Sequence, residues 1–207
     1  MRARDPAWRD AGQRAVTPAW SIDDAGWVQG LTHRPSPHCD ARPPGCALEL
    51  AVIHNISLPP GKFGEGQIEA LFAGTLDPAA DPYFEQIAGL RVSAHFLVAR
   101  DGTVTQFVSC ADRAWHAGLS EFEGRARCND FSIGIELEGT DLCVFEPEQY
   151  DAAARLLDLL ARHYPIVAVA GHSDIAPGRK TDPGPCFDWR RLRTRMAAVT
   201  QLEFPFV

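Results

Sequence analysis

Two of the seven histidines occur in the same sequence context, at the end of a short apolar run. His54 follows the mostly apolar residues 48–53, and His172 follows the β-rich residues 166–170 and a glycine. Strand ends that open into loops are positions where a rigid scaffold presents side chains to a cleft. Neutral imidazoles bind zinc, and a catalytic zinc site adds a third protein ligand and an open position for water. A single histidine is more often structural, so the repeated context is what suggests a metal site.

A candidate third ligand lies in the segment GRKTDPGP. Lys180 and Asp182 are two residues apart, so in extended backbone both side chains project to the same side. Pro183 and Gly184 would stiffen this loop. The carboxylate could hold a metal while the ammonium stabilises an oxyanion that develops beside it. Asp174 is a competing ligand, and a surface loop with an ordinary salt bridge is the alternative interpretation.

Glu136 lies inside the strand-like segment SIGIELE, residues 132–138. Alternation places Glu136 and Glu138 on one face of the strand and the aliphatic side chains on the other. Glu136 could therefore face a cleft and act as the base for a metal-bound water. The alternative is that both glutamates face solvent.

Trp115 and His116 follow a predicted hairpin of residues 92–108. They could line a surface that binds a sugar, because an aromatic plane stacks on the apolar face of a sugar ring. Core packing is the alternative for Trp115. His95 lies within the strand-like segment VSAHFLV, and we interpret it as structural.

Bulk properties exclude several classes of protein. A chain of 207 residues with 45% hydrophobic and 23% charged residues is typical of one globular domain. The formal net charge of −7 argues against nucleic-acid binding. The sequence has no apolar run of the roughly 20 residues that a membrane span needs. Residues 1–16 are charged and lack the apolar segment of a secretory signal, so we expect a cytoplasmic protein.

The six cysteines are scattered and include no C-x-x-C pair, which favours reduced thiols over disulfides or a structural zinc site. They are Cys39, Cys46, Cys110, Cys128, Cys143 and Cys186.

Local patterns predict a mixture of strands and helices. Residues 92–99 and 103–108 form a predicted hairpin around Gly102. The strongest helix covers residues 147–163, and a final helix covers 189–199 after the N-cap Asp188. Residues 27–45 are rich in proline and histidine and are predicted to be loop. These elements predict an α/β fold, a single domain with a central mixed β-sheet flanked by helices.

Five blocks of the sequence resemble those of the AmpD-type 1,6-anhydro-N-acetylmuramoyl-L-alanine amidases, whose fold is shared with peptidoglycan recognition proteins. The blocks are VIHNISLPPGKFG, LRVSAHFLVARDG, RAWHAG, RCNDFSIGIELEGTD and GHSDIAPGRKTDPGPCFDW. The resemblance covers residues 27–196, and the stretch before Asp24 has no counterpart in it. We therefore expect an N-terminal extension at residues 1–23 and a zinc amidase domain at residues 24–207.

The resemblance implies a role for each matching residue. His54, His172 and Asp182 would bind one Zn²⁺, Glu136 would activate or orient the attacking water, and Lys180 would lie beside the scissile carbonyl. The substrate-binding positions implied in the same way are Asn55, Trp115, His116 and Arg127.

The expected activity is hydrolysis of the amide bond between (anhydro-)muramic acid and L-alanine in muropeptides during peptidoglycan recycling in the bacterial cytoplasm. We expect muropeptides as the partner, with no nucleic acid, membrane or obligate protein partner. A non-catalytic protein that binds peptidoglycan fragments is the main alternative. A thiol hydrolase that uses Cys110 or Cys186 with His116, and a zinc deacetylase, are the other two.

Overall fold

The computed structural model describes residues 20–197 and 202–206, and a six-stranded sheet forms their centre. The strands are β1 (Ser21–Ile22), β2 (Val28–Gln29), β3 (Thr32–His33), β4 (Cys39–Ala41), β5 (Leu50–Ile56), β6 (Phe96–Val98), β7 (Val104–Gln106), β8 (Asp112–Ala114), β9 (Glu121–Phe122), β10 (Arg125–Ala126), β11 (Ser132–Glu138) and β12 (Ala168–Gly171). The sheet order is β12-β5-β11-β6-β7-β3. The first four strands in this order run parallel, and β7 is antiparallel to β6. The sheet is therefore mixed, as predicted.

Five helices accompany the sheet within the described residues: α1 (Gln67–Ala73), α2 (Pro82–Ile87), α3 (Pro147–His163), α4 (His172–Ile175) and α5 (Trp189–Arg195). The longest, α3, begins at Pro147, where the missing amide hydrogen costs nothing. Its start is stabilised by a capping box between Glu146 and Gln149. The side chain of Asp188 caps α5 by accepting from the amide of Arg191 at 2.8 Å.

The two faces of the sheet have different partners. Apolar residues of α3, spaced three to four positions apart, pack against one face. From the strands this core contains Ala51, Ile53, Ile133, Ile135 and Leu137. Each fully buried aliphatic side chain of this kind contributes about 1.5–3 kcal/mol. Since side chains alternate along a strand, the residues between them point to the opposite face.

That opposite face carries the polar residues of interest. Along β5 it presents Leu50, Val52 and His54, and along β11 it presents Gly134 and Glu136. The polar side chains are those nearest the carboxyl ends of the parallel strands. This is the edge at which α/β sheets present their ligand sites.

Several predicted elements agree with the structure, and others need correction. The hairpin at Gly102 and helix α3 are confirmed. Residues 27–45 were wrongly predicted to be loop, because they contain three short strands. Strand β2 pairs with the nearby β1, whereas β3 and β4 pair with β7 and β8, far along the chain. Strand β5 continues through His54 to Ile56, and α4 begins at His172, so neither histidine opens a loop. Helix α5 ends at Arg195, before the expected end at Val199, which lies outside the described residues.

Part of the expected N-terminal extension contacts the domain. Ser21 and Ile22 form β1 and pair with β2, and Trp20 packs against the main core. Residues 1–19 lie outside the described part of the chain. Among the described residues, no helix has both the length and the apolar character needed to cross a membrane.

Candidate active site

Three side chains from different parts of the chain converge at the end of the sheet. His54 comes from β5, His172 is the first residue of α4, and Asp182 lies in the loop that follows. The Nδ1 atoms of the two histidines are 3.0 Å apart. Oδ2 of Asp182 is 3.1 Å from Nδ1 of His54 and 3.0 Å from Nδ1 of His172. Two nitrogens and one oxygen therefore point at a common centre.

This donor set fits a zinc ion. Two ligands at about 2.0–2.1 Å from a tetrahedral ion lie about 3.3 Å apart, close to the separations found here. Two imidazoles and one carboxylate leave a fourth position, which is the arrangement of catalytic rather than structural zinc sites. Both histidines are buried, and the three residues form a group that could hold a metal ion.

The protonation states also suit a cation. Burial lowers the pKa of His54 to about 4, so its imidazole is neutral at neutral pH. Burial disfavours the charged form of Asp182, but the adjacent imidazoles of His172 and His54 outweigh it and hold the pKa below its usual range. A neutral imidazole and an ionised carboxylate are the forms that coordinate a metal.

Glu136 is buried beside this group, with only 9% of its surface exposed. Its Oε2 atom has no hydrogen-bond partner among the residues that the structure describes. Burial raises its pKa well above the usual range, the negative charge of Asp182 adds to the effect, and Lys180 partly offsets it. The alternative in which Glu136 and Glu138 face solvent is wrong, because both are buried. A carboxylate with a raised pKa and a free oxygen is suited to accept a proton.

These residues and Lys180 line one cleft of about 670 Å³. Part of the cleft wall is apolar and includes Leu58, Leu71, Tyr83 and Ile87. The cleft thus combines a polar end that can perform hydrolysis with a wall that can bury the apolar parts of a substrate.

Asn55 lines the same cleft, but its amide is already engaged. Its Nδ2 donates to Oδ1 of Asp141 at 2.7 Å and to the carbonyl of Pro183 at 3.0 Å. The second bond fixes the loop directly after Asp182. Asn55 therefore positions the loop that carries the third ligand, a role that its adjacency to His54 in sequence did not reveal.

Trp115 and His116 occupy different environments although they are neighbours. Trp115 lines the cleft, its Nε1 donates to Asp40 at 3.1 Å, and its ring stacks on that of His38. His116 also lines the cleft, and its Nδ1 lies 3.0 Å from Nε2 of His54. Burial lowers the pKa of His116 well below its usual range. Trp115 is placed to contact a ligand, whereas the polar atoms of His116 are engaged inside the protein.

Arg127 remains outside the cleft lining. Its side chain is 71% exposed and pairs with Asp130 at 3.2 Å. Its expected contact with a substrate carboxylate stays a prediction.

The competing candidates have other partners. Asp174 accepts from the amide of Gly171 at 2.7 Å, at the start of α4, which gives its carboxylate a local role in place of metal binding. Cys110 is buried, and burial raises the pKa of its thiol to about 12. A thiol of this kind is a poor nucleophile.

Sequence reasoning did not single out three residues that support the site. Asp141 accepts from Asn55, Asn129 accepts from the amides that follow Trp115, and Arg179 donates to the carbonyl of Ala117. Arg179 lies next to Lys180 and could have been noticed there. The other two come from segments whose closeness to the site depends on the tertiary fold.

A cleft that brings two histidines, an aspartate and a buried glutamate together at one edge of the sheet is typical of metal-dependent hydrolases. The sequence profile described as N-acetylmuramoyl-L-alanine amidase matches residues 45–185, and the chain belongs to this amidase family. Among its relatives, 1,6-anhydro-N-acetylmuramyl-L-alanine amidase AmpD of Escherichia coli (strain K12) is 54% identical over 179 residues. That alignment covers 86% of this chain and 98% of the relative.

Solved structures agree with the assignment. The crystal structure of a Se-Met derivative of AmpD superposes with a TM-score of 0.82 at 53% identity and covers 85% of this chain and 99% of that one. Escherichia coli AmiD, solved with anhydro-N-acetylmuramic acid-L-Ala-D-gamma-Glu-L-Lys, gives 0.52 at 28% identity, covering 87% of this chain and 67% of that one. Drosophila PGRP-LB gives 0.54 at 17% identity, covering 84% and 96%, a likeness of fold alone. The expected fold, family and amidase class are confirmed.

Proposed function

We propose that this amidase hydrolyses the bond between 1,6-anhydro-N-acetylmuramic acid and L-alanine in muropeptides, using one zinc ion held by His54, His172 and Asp182. One observation carries the proposal: Nδ1 of each histidine and Oδ2 of Asp182 lie 3.0–3.1 Å from one another, beside a buried glutamate. The names of the relatives supply the substrate class.

Zinc in such a site supplies Lewis-acid chemistry, because it lowers the pKa of water toward neutrality and polarises a carbonyl group. The chain supplies the orientation. His54 and His172 come from a strand and a helix that are fixed by the sheet, so their imidazoles are held in place before substrate arrives.

Glu136 accepts the proton of the attacking water at its free Oε2 atom. Its raised pKa makes it a stronger base than an exposed glutamate, which suits proton transfer near neutral pH. The same carboxyl group can return that proton to the leaving nitrogen of L-alanine. The balance is RCO–NHR' + H2O → RCOO⁻ + R'NH3⁺: the oxygen of water joins the lactyl carboxylate. One proton of water reaches the nitrogen through Glu136, and the second reaches it when the new carboxyl group ionises.

Lys180 stabilises the negative charge that develops on the lactyl carbonyl oxygen. Its ammonium lines the cleft and acts electrostatically on both Glu136 and His54. A fixed positive charge at this point stabilises the tetrahedral transition state more than the neutral substrate.

The cleft accommodates the rest of the muropeptide. Trp115, held by Asp40, offers a flat surface for the apolar face of the sugar. The apolar wall near Tyr83 can bury other parts of the ligand. The placement of the chain in peptidoglycan recycling follows from this substrate.

Mass spectrometry of products from an anhydromuropeptide tests the function. We expect free peptide and anhydro-N-acetylmuramic acid, and no loss of activity after thiol alkylation. Release of acetate would indicate a deacetylase, and binding without any product would indicate the non-catalytic alternative.

A further inference from the structure

Both histidine ligands direct their outer ring nitrogens toward the same two residues, His116 and Ala117. Nε2 of His54 lies 3.0 Å from Nδ1 of His116. Nε2 of His172 lies 3.1 Å from the carbonyl oxygen of Ala117. One short segment of chain thus contacts both imidazoles on the side away from the proposed metal.

These contacts assign the tautomers. A carbonyl oxygen can only accept, so Nε2 of His172 carries the hydrogen and Nδ1 presents its lone pair. For His54 the same assignment holds if Nδ1 of His116 accepts. The opposite nitrogen of His116 then donates to the hydroxyl of Ser132, 3.2 Å away. Both Nδ1 atoms are left as acceptors that face Asp182, as a bound cation requires.

Both backbone amides of the segment are held by one side chain, that of Asn129. Oδ1 of Asn129 accepts from the amides of His116 at 3.2 Å and of Ala117 at 2.8 Å. Arg179 donates to the carbonyl of Ala117 at 2.7 Å, alongside the histidine. The half-buried guanidinium of Arg42 donates to the carbonyl of Asn129 at 3.0 Å and fixes its backbone. Hydrogen bonds of these three side chains therefore hold the backbone of the segment that contacts the two histidines, that of Arg42 by way of Asn129.

A glycine in β11 leaves room for the His116 ring. A Cβ atom placed on Gly134 would lie 2.4 Å from Cγ of His116 and 2.7 Å from its Nδ1. Gly134 lies inside β11, between the parallel strands β5 and β6, and not in a turn. A residue with a higher strand propensity would otherwise be favoured at this position. Its presence is explained by the close approach of the imidazole.

We infer that His116 and Ala117, held by Asn129, are positioning residues that set the orientation and tautomer of both zinc-binding histidines. This inference rests on the proposed zinc site. It gives His116 an indirect role in addition to the expected contact with the substrate, which stays a prediction. Removal of such an outer contact lowers metal affinity by about 10–100-fold in other zinc proteins.

Zinc affinity, measured on the full-length chain by competition with a chromogenic chelator, tests the inference. Asn129→Leu removes the acceptor shared by the two amides, whereas Asn129→Asp keeps an oxygen at the same place. We expect Asn129→Leu to weaken zinc binding about 10–100-fold and Asn129→Asp to stay near the wild type. His116→Leu and His116→Asn form a second pair, because the asparagine oxygen can replace Nδ1.

Gly134→Ala is expected to weaken zinc binding in the same range, while Gly89→Ala, where a Cβ meets no atom within 4 Å, serves as the matched control. Folded leucine variants that bind zinc as tightly as the wild type would overturn the inference. A wild-type protein that binds no zinc would instead overturn the proposed function.

A measurement on the wild type needs no variant to fold. Long-range ¹H–¹⁵N NMR of the zinc-loaded protein reports which ring nitrogen carries hydrogen. We expect hydrogen on Nε2 of both His54 and His172. Hydrogen on Nδ1 of either one contradicts the inference.

Discussion

Glu136 and His54 are directly opposed in the register of the parallel strands β11 and β5, with both side chains on the sheet face opposite α3. The glutamate is thereby held beside the metal ligands without a hydrogen bond to its Oε2 atom from any described residue. A buried carboxylate that lacks a partner is unfavourable for folding, which is typical of a group retained for chemistry.

The first prediction concerns catalysis by this glutamate. Glu136→Gln removes the proton acceptor and preserves the shape of the side chain. We expect kcat to fall about 10²–10⁴-fold, because general base catalysis contributes that much. Zinc affinity should change little, since the glutamine replaces no proposed ligand. Steady-state kinetics with parallel zinc titration checks both; a fall in kcat explained wholly by zinc loss contradicts the assigned role.

The second prediction concerns the stability of the zinc-free protein. The pKa of Glu136 in the folded state lies above its value of 4.5 in the unfolded chain, so the folded state binds more protons between these two values. Stability from this group is complete below about pH 4.5 and is lost as the pH rises toward the folded pKa. Glu136→Gln should therefore raise the melting temperature at neutral pH, with the gain disappearing near pH 4.

A matched variant separates this effect from general changes in β11. Glu138 is also buried, but it accepts from the amides of Gly64 at 2.5 Å and Arg100 at 3.3 Å. Glu138→Gln weakens these bonds and should lower the melting temperature, by about 2–4 °C for each kcal/mol lost. Thermal unfolding from pH 4 to 8 measures both variants. Equal responses of the two variants would refute the claim that burial of the Glu136 carboxylate destabilises the folded protein at neutral pH.

The third prediction concerns Lys180. Lys180→Met keeps much of the side-chain volume and removes the charge. We expect a loss of about 10²–10³-fold in kcat, comparable to the removal of one oxyanion-stabilising donor. KM should change much less, because the charge acts mainly on the transition state. An effect confined to KM would assign Lys180 to substrate binding alone.

The fourth prediction concerns Asn55. Asn55→Ala removes the hydrogen bonds to Asp141 and to the carbonyl of Pro183, each worth about 0.5–1.5 kcal/mol. The loop that carries Asp182 loses its anchor, so zinc affinity and melting temperature should both fall. Chelator competition and thermal unfolding measure these quantities. A raised KM with unchanged zinc affinity would instead support a direct contact between Asn55 and the substrate.

Local signals in the sequence predicted much of the fold. The pattern of α3 and its Pro147 start, and the hairpin at Gly102, depend on nearby residues and were confirmed. The short strands within residues 27–45 were missed, and two of them, β3 and β4, pair with partners far along the chain. Two or three residues carry too little periodicity to indicate a strand.

The candidate site was predictable in its chemistry but not in its support. His54, His172 and Asp182 were recognisable by residue type and by family resemblance. The role of His116 was not, because its contact with His54 joins residues 62 positions apart. Asn129 and Asp141 had no local pattern to mark them. The roles of the site residues and a location in the bacterial cytoplasm stay predictions.

Zinc content and product release, measured together for the wild type and Asp182→Ala, test the central claim most directly. The wild type is expected to bind one zinc per chain and to release free peptide from anhydromuropeptide, and chelation should abolish that release until zinc is restored. Asp182→Ala should fail in both zinc retention and cleavage. Peptide release by zinc-free wild type, or by Asp182→Ala at the wild-type rate, would contradict the account.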